Sequence, residues 1–485
     1  MTHTFGIDLG TTQSCIAYIN EYKQPEVLEN SRRSPTTPSV VYYDTATNKI
    51  TVGQAAKDHL GIDPQNTVAN IKREMPNPHY GRKIGNHQIS PVNVSALILK
   101  KLVDDANEKL KNEKNLPPTN KVVITIPAYF GTLERARTEQ AAKEAGLELL
   151  ELINEPNAAA LSYSANINNN GTFLIYDLGG GTFDVSIVQK QGKSLTVRHY
   201  DGEKELGGID WDRALANMVL RRLKINKYIE DFKDTPEGSQ LLLDIERIKI
   251  NLSEENIENV RFSFIFENKR TEGISILLSD FESATKKLLD RTEKKIDKVI
   301  QDAGIAIGDI DLVIMVGGSS MMRMVQEMLK RKFGGKEKLR LADPILSIAK
   351  GAAIHSQKIQ EGIKTDNILS KSYGLKIYTP TFKKNMIGNF IKKGAKIPIS
   401  KQEYKVYTNQ VRRRIQIEFY ENDSVKNEVE LSSENPLIRK EVWEFERRIK
   451  KGTLIKCLVN VDKSGIVSLE AECEGKKKEF ESITR

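Results

Sequence analysis

Phe5-Gly6-Ile7-Asp8-Leu9-Gly10-Thr11-Thr12 and Phe173-Leu174-Ile175-Tyr176-Asp177-Leu178-Gly179-Gly180-Gly181-Thr182 follow one plan: an apolar strand, a strand-terminal aspartate, then a turn of glycine and threonine. Each turn leads into a second apolar run, Ser14 to Ile19 and Phe183 to Val188, so both stretches read as β-hairpins. Asp8 and Asp177 stand 169 residues apart at equivalent points, which indicates a duplicated fold whose halves face each other across a cleft. The residue types say what such a cleft would hold. Glycine, lacking Cβ, lets peptide N–H groups reach phosphate oxygens, threonine adds hydroxyl donors, and a carboxylate holds Mg²⁺ directly or through its water shell. Gly10, Gly179, Gly180 and Gly181 are therefore the candidate phosphate cradle. Thr11, Thr12 and Thr182 are the candidate donors, and Asp8 and Asp177 the metal-facing carboxylates. A single such turn is ordinary loop chemistry, whereas two matched copies specify a triphosphate site. No GxxxxGK[ST] occurs, so this is not the P-loop solution.

Further along, Leu312-Val313-Ile314-Met315-Val316 runs into Gly317-Gly318-Ser319, and a helical pattern starts near Met322. Apolar residues recur at helical spacing over Leu133 to Glu144, Ser239 to Leu252 and Asp280 to Ala303. The pattern changes after Ala352-Ala353-Ile354. A nucleotide-binding domain over 1–358, a linker over 359–370 and a β-rich domain over 371–485 are expected. In the last segment Tyr404 to Tyr407, Arg414 to Tyr420 and Leu454 to Val461 alternate apolar and polar residues. The Asp462-Lys463-Ser464-Gly465 turn then leads into Ile466 to Ala471, so the segment reads as a small β-sandwich.

Composition narrows the function classes. The 485 residues exceed the roughly 250–300 at which one core stops growing, so two or more domains are expected. No apolar run approaches the roughly 18 residues of a membrane span. No leader pattern precedes Phe5, and with only Cys15, Cys457 and Cys473 a reduced, cytoplasmic setting is expected, without disulfides or zinc sites. The net charge of +9 lies wholly in residues 371–485, which hold 25 basic and 16 acidic side chains against 49 of each elsewhere. Its Lys and Arg are interleaved with Glu, so a solvated face is favoured over a nucleic-acid surface.

Phe5 to Cys15, Ile153-Asn154-Glu155-Pro156 with Ala158-Ala159-Ala160, Ile175 to Asp184 and Val316 to Ser319 resemble the signatures of the 70-kilodalton heat-shock chaperone family. The resemblance runs from residue 5 to about 355 and continues faintly beyond. It implies an α/β, actin-like ATPase fold, with duplicated ribonuclease-H-like lobes around a nucleotide cleft, followed by the β-sandwich. It implies ATP or ADP with Mg²⁺ and a K⁺ as cofactors. Lys72 resembles the family lysine that orients the attacking water, Glu155 the carboxylate near metal and water, and Asp184 a group placing water or a monovalent cation. With Asp177 and Thr182 they make up the implied catalytic set. Glu246, Lys249 and Ser253 match the helix gripping the adenosine, and Gly317, Gly318 and Ser319 match the adenosine loop. Pro127 and Arg135 resemble the family's switch relaying nucleotide state to the second domain.

Departures bear on partners. Met321 stands where the family usually has an arginine against the base, and Ile345-Leu346 replace an Asp-Glu pair. Glu151 occupies the position of an arginine that pairs with J-domain co-chaperones, so a non-standard J-domain partner is expected, along with a nucleotide exchange factor. Phe390 to Pro398 and Val461 to Val467 look like the family's substrate-binding β-domain, which implies extended or unfolded peptide as client. A chain without the family's helical lid after that domain is expected. A monomer is expected. The function read from the sequence is an ATP-dependent chaperone-like ATPase of slow turnover. The alternatives are a nucleotide-gated partner-binding protein with little turnover, or a small-molecule kinase of the actin-like superfamily.

Overall fold

The computed structural model describes residues 3–164, 170–192, 194–267, 269–341, 343–362, 367–379, 384–432, 435 and 437–480. The chain divides into two compact units. One comprises Met1–Pro127, Ala141–Leu150 and Asn154–Lys364, the other Ala128–Gln140, Glu151–Ile153 and Thr365–Arg485. Of the expected linker, residues 363–366 lie outside the described residues.

The first unit is built on two sheets of one topology. Strands β1 (Phe5–Asp8), β2 (Gln13–Ile19), β3 (Pro25–Val27), β4 (Lys121–Ile126) and β5 (Glu148–Asn154) lie in the order β3-β2-β1-β4-β5. Strands β6 (Gly171–Leu178), β7 (Phe183–Gln191), β8 (Ser194–Glu203), β9 (Leu312–Val316) and β10 (Leu339–Arg340) lie in the order β8-β7-β6-β9-β10. In both, the first two strands pair antiparallel through the glycine turn and the fourth pairs parallel with the first. The duplication read from the two hairpins therefore extends to the whole sheet. Parallel pairing buries both faces, which is why β6 and β9 are nearly continuous apolar runs.

The longer helices are α1 (Pro91–Lys114), α2 (Thr132–Glu144), α3 (Glu155–Ser164), α4 (Gly208–Arg222), α5 (Pro236–Leu252), α6 (Leu278–Ala303), α7 (Arg323–Phe333) and α8 (Ser347–Gln360). Their starts are legible. Ser90 accepts from the Asn93 backbone ahead of Pro91, and Thr235 accepts from Gly238 ahead of Pro236, so side-chain oxygens satisfy orphan N–H groups while proline occupies the first helical position. One large core joins β6, β7 and β9 to α4, α5, α6 and α7, with Trp211, Leu215, Leu241, Ile245, Ile296 and Val325 at its centre.

In the second unit, β11 (Ser372–Thr379), β12 (Lys384–Ile391), β13 (Ile399–Tyr407), β14 (Arg412–Asn422), β15 (Glu428–Glu430), β16 (Leu437–Ile449), β17 (Leu454–Val461), β18 (Val467–Cys473) and β19 (Lys476–Phe480) form two sheets. Their orders are β15-β12-β11-β14-β16 and β13-β17-β18-β19. Burial alternates along β17 and β18, and their inward residues join Phe390, Ile415, Phe419 and Trp443 in one core. This is the expected β-sandwich. The segment Ala128–Gln140 belongs to the same unit. Thr132 Oγ1 donates to the Tyr373 hydroxyl at 2.9 Å, and the Thr132 backbone N–H donates to Glu421 at 3.3 Å. Arg135, almost wholly buried, donates to the carbonyls of Phe130 at 3.0 Å and Ser464 at 2.6 Å. Ser464 Oγ in turn accepts from the Leu152 backbone N–H at 3.2 Å. Pro127 is the last residue of the first unit before this segment.

Candidate active site

The two glycine turns close on each other. A Cβ added to Gly180 would collide with Thr12, and one added to Gly181 would collide with Thr11, so the turn after β6 approaches the turn after β1 as only glycine permits. The β6 turn is fixed from below by α4, whose first N–H groups, of Gly208 and Ile209, donate to the carbonyls of Gly179 and Gly180 at 3.0 and 2.9 Å. Arg73 fixes it from the side, donating through Nε (2.9 Å) and Nη2 (2.5 Å) to the Gly181 carbonyl while its guanidinium pairs with Asp210 at 2.5 Å. In the β1 turn, Ser39 Oγ donates to the Gly10 carbonyl at 2.8 Å and the Ser39 backbone N–H to the Thr12 carbonyl at 2.9 Å. Sequence reading missed Arg73 and Ser39. Arg73 adjoins Lys72 in a short helical turn, and nothing local distinguishes it from a surface charge. The pair Gly207-Gly208 ahead of Asp210 was the signal for the α4 contact, since a Cβ on Gly207 would collide with the Gly180 and Gly181 backbone.

Beneath the turns the charged candidates come together. Lys72 Nζ lies 2.7 Å from Glu155 Oε1, with both side chains under a tenth exposed. Asp8, at the end of β1, accepts from Thr125 Oγ1 at 3.2 Å. Burial pushes its carboxyl up to about 7, with the charge of Glu155 next in importance and Lys72 opposing. Asp177, ending β6, is raised well above the ordinary carboxylate range by burial and then by Glu155 and Asp8. Asp184, opposite Asp177 in the β6–β7 ladder, is raised by burial and by Glu155 and Asp177, and both its carboxylate oxygens lack a hydrogen-bond partner. Burial pulls the Lys72 ammonium down, but Glu155, Asp8 and Asp177 outweigh it and raise the group above its usual value.

So many buried carboxylates around one lysine lack compensation without a further cation. The orphaned oxygens of Asp184 and the glycine-lined cradle fit a magnesium-bound triphosphate. Among the described residues no group of three or more His, Cys, Asp or Glu side chains is arranged to hold a metal unaided, so phosphate and water would supply most of the cation's ligands.

The nucleoside candidates adjoin this cradle. Ser319 Oγ and Lys249 Nζ both approach Gly208, at 2.5 and 2.9 Å from where its Cβ would stand. Lys249 is also buried against Asp212 at 2.9 Å and donates to the Gly208 carbonyl at 3.1 Å. Glu246 pairs with Lys57 at 2.5 Å, and Ser253 Oγ donates to the Lys249 carbonyl at 2.8 Å. Gly317 adopts φ 79°, and a Cβ there would collide with Leu178, so this loop lies against the end of β6. Of the sequence candidates, Asp8, Lys72, Glu155, Asp177 and Asp184 are thus brought together, and Lys249 and Ser319 meet at Gly208 beside the Gly180 turn. Among the described residues no helix is long and apolar enough to cross a membrane, and Cys15, Cys457 and Cys473 are free and buried.

Residues 4–484 match the family described as Hsp70 protein. The Chaperone protein DnaK of Mycoplasmopsis synoviae (strain 53) is 38% identical over 352 residues, covering 72% of this chain and 57% of that protein. That of Prochlorococcus marinus (strain MIT 9515) is 32% identical over 505 residues, covering 99% of this chain and 77% of its own length. That of Halobacterium salinarum (strain ATCC 29341 / DSM 671 / R1) is 33% identical over 490 residues, with 99% and 74% covered.

Proposed function

The chain belongs to the Hsp70 family of ATP-dependent chaperones, ATPases with an actin-like fold followed by a β-sandwich, and from that premise we propose how its own residues work. It binds Mg·ATP between the lobes of the first unit, hydrolyses it slowly, and couples the cycle to extended polypeptide segments held by the β-sandwich. The observation that carries this reading is the meeting of Asp8, Lys72, Glu155, Asp177 and Asp184 beneath two interlocked glycine turns.

Magnesium, when bound, neutralises phosphate charge and favours in-line displacement by water. Asp8 and Asp177, at the ends of β1 and β6, would hold the hydrated ion. Gly10, Thr11, Thr12, Gly179, Gly180, Gly181 and Thr182 present N–H and hydroxyl donors to the phosphate oxygens. Lys72, held by Glu155, orients the attacking water, and Asp184, with both oxygens open, places that water or a K⁺ ion. Glu246, Lys249, Ser253, Gly317, Gly318 and Ser319 line the nucleoside end. Cleavage of the terminal P–O bond yields ADP and phosphate.

For the second unit, main-chain hydrogen bonding to an extended peptide at a sheet edge is the recognition mode that a two-sheet sandwich supplies. Glu151 is buried, so we assign this chain a non-standard J-domain co-chaperone whose docking does not rest on that position, together with an exchange factor, and place its action in the cytoplasm. Steady-state hydrolysis of Mg·ATP with and without an unfolded peptide tests the whole reading. Slow turnover, stimulated by peptide and reduced about 100-fold or more in Thr182→Ala, is expected; no heat on titrating Mg·ATP into the protein would overturn it.

A further inference from the structure

Part of the positive excess of residues 371–485 is concentrated at one end of the β-sandwich. Two loops meet there: 408–411, which leads from β13 to β14, and 450–453, which leads from β16 to β17. The Thr408 N–H donates to the Thr453 carbonyl at 3.0 Å, the Gly452 N–H to the Thr408 carbonyl at 2.8 Å, and Thr408 Oγ1 to the Lys450 carbonyl at 2.6 Å. The flanking strands continue this pairing, with Tyr407 opposite Leu454 and Arg412 opposite Ile449. Arg412, Arg413, Arg448, Lys450 and Lys451 are thereby gathered at one rim, all of them exposed.

The neighbouring carboxylates are already taken. Glu444 pairs with Arg414 at 2.7 Å, Glu474 with Arg447 at 3.0 Å and Glu446 with Lys476 at 3.6 Å. Among the described residues none of the gathered cations is in an ion pair, and Arg412 donates only to the side-chain oxygen of Gln410, at 2.8 Å. Like charges held this close repel one another, so a carboxylate brought among them relieves the repulsion at several positions together. Apolar side chains stand exposed in the same rim: Tyr407 at 62%, Val411 at 57% and Leu454 at 39%. The rim therefore offers burial to apolar groups and charge to acidic ones beside them. β13, which ends at Tyr407, is an edge strand, with β17 on one side and, among the described residues, no strand on the other. Its outer N–H and C=O groups can pair with an extended polypeptide. A single-stranded nucleic acid needs an unbroken basic track, and Glu444, Glu446 and Glu474 interrupt this one.

Resting on the peptide-binding role given to the sandwich above, we propose that this basic rim selects the client, an extended segment whose apolar residues are flanked by Asp or Glu. Fluorescence anisotropy of the full chain with labelled peptides that share one apolar core and carry Glu, Gln or Lys flanks tests the selection. The Glu-flanked peptide is expected to bind about tenfold tighter than the Lys-flanked one at ~0.1 M salt, with the Gln-flanked peptide between them. At ~1 M salt, where the Debye length falls to about 3 Å, the gap should close to about twofold. Arg412→Gln/Arg413→Gln and Lys450→Gln/Lys451→Gln replace exposed side chains outside the sandwich core, so folding is not at stake. Each double variant is expected to narrow the gap about threefold while the affinity for the Gln-flanked peptide holds. Equal affinity for Glu and Lys flanks, or a gap that neither double variant narrows, would overturn the selection and leave peptide binding by the sandwich standing. Failure of all three peptides to bind would overturn that peptide-binding role and the selection with it. A single-stranded oligonucleotide that binds tighter than the Glu-flanked peptide and weakens in the same variants would assign the rim to nucleic acid, against the proposal.

Discussion

An ammonium group enclosed as fully as that of Lys72 is tolerated because Glu155 lies 2.7 Å away and because Asp8 and Asp177 add their field. The pair is a poor source of net stability, since each charge has lost its water, but breaking it from one side is costly. Lys72→Met leaves the Glu155 carboxylate buried without its cation and removes the charge that opposes the upward shifts of Asp8, Asp177 and Asp184. Urea unfolding of nucleotide-free protein is therefore expected to show a loss of about 3 kcal/mol for Lys72→Met, about half of it regained in Lys72→Met/Glu155→Gln. Turnover should be absent from both, because the double variant restores charge balance but not the ammonium to which the orienting of water is assigned. Restored hydrolysis in the double variant would remove Lys72 from the catalytic set. Lys72 itself was found through a family resemblance and not through its spacing. A lysine beside an arginine in a short turn carries no local mark of burial, and Arg73, equally important to the Gly181 carbonyl, went unnoticed for the same reason.

At the scale of elements, the glycine turns behave as one part made from two distant pieces of chain. Each was legible in the sequence because its requirements are local, namely a strand, a terminal aspartate and residues without Cβ. The β-sandwich strands were legible for a similar reason, since alternation marks a half-buried strand wherever it lies. Less legible was the grouping of Ala128–Gln140 and Glu151–Ile153 with the β-sandwich. It depends on Thr132 meeting Tyr373 and Arg135 meeting Ser464, contacts between residues hundreds apart that no periodicity announces. The interlocking of the two turns gives its own prediction. Gly181→Ala drives a methyl group into Thr11 and disturbs the carbonyl that Arg73 holds, at a cost of about 1–3 kcal/mol. For a unit of this size a loss of that magnitude is expected to shift thermal unfolding, followed by circular dichroism, by only a few degrees. Mg·ATP and Mg·tripolyphosphate affinities should fall together by about 100-fold, as the collision sits at the proposed phosphate cradle. A loss confined to ATP would place the defect at the base and not at the cradle.

Over the whole molecule, the chain passes between its two units within single elements. β5 contributes Glu151–Ile153 to the unit of the β-sandwich, and the next residues, Asn154 and Glu155, belong to the unit of the nucleotide cleft. Leu152, three residues before Glu155, is held through its N–H by Ser464 Oγ, whose own carbonyl holds Arg135. A change at the Asp462–Ile466 turn therefore has a short route, one hydrogen bond and three residues of chain, to the carboxylate paired with Lys72, and a change at Glu155 has the same route back. Coupling by such a route is a free energy shared by both ligands, so it must act equally in the two directions. If Mg·ATP weakens a fluorescent extended peptide by some factor, that peptide must weaken Mg·ATP by the same factor, with values of about 5–150 typical of such linkage. Ser464→Ala removes the acceptor for Leu152 but leaves the backbone carbonyl for Arg135, so the sandwich should keep its stability and its peptide affinity in the absence of nucleotide. Its reciprocal factor, measured by anisotropy for the peptide and calorimetry for the nucleotide, is expected to drop at least threefold. Peptide stimulation of hydrolysis should fall with it, while basal turnover is unchanged. An undiminished factor in Ser464→Ala would show that nucleotide and peptide communicate by another path.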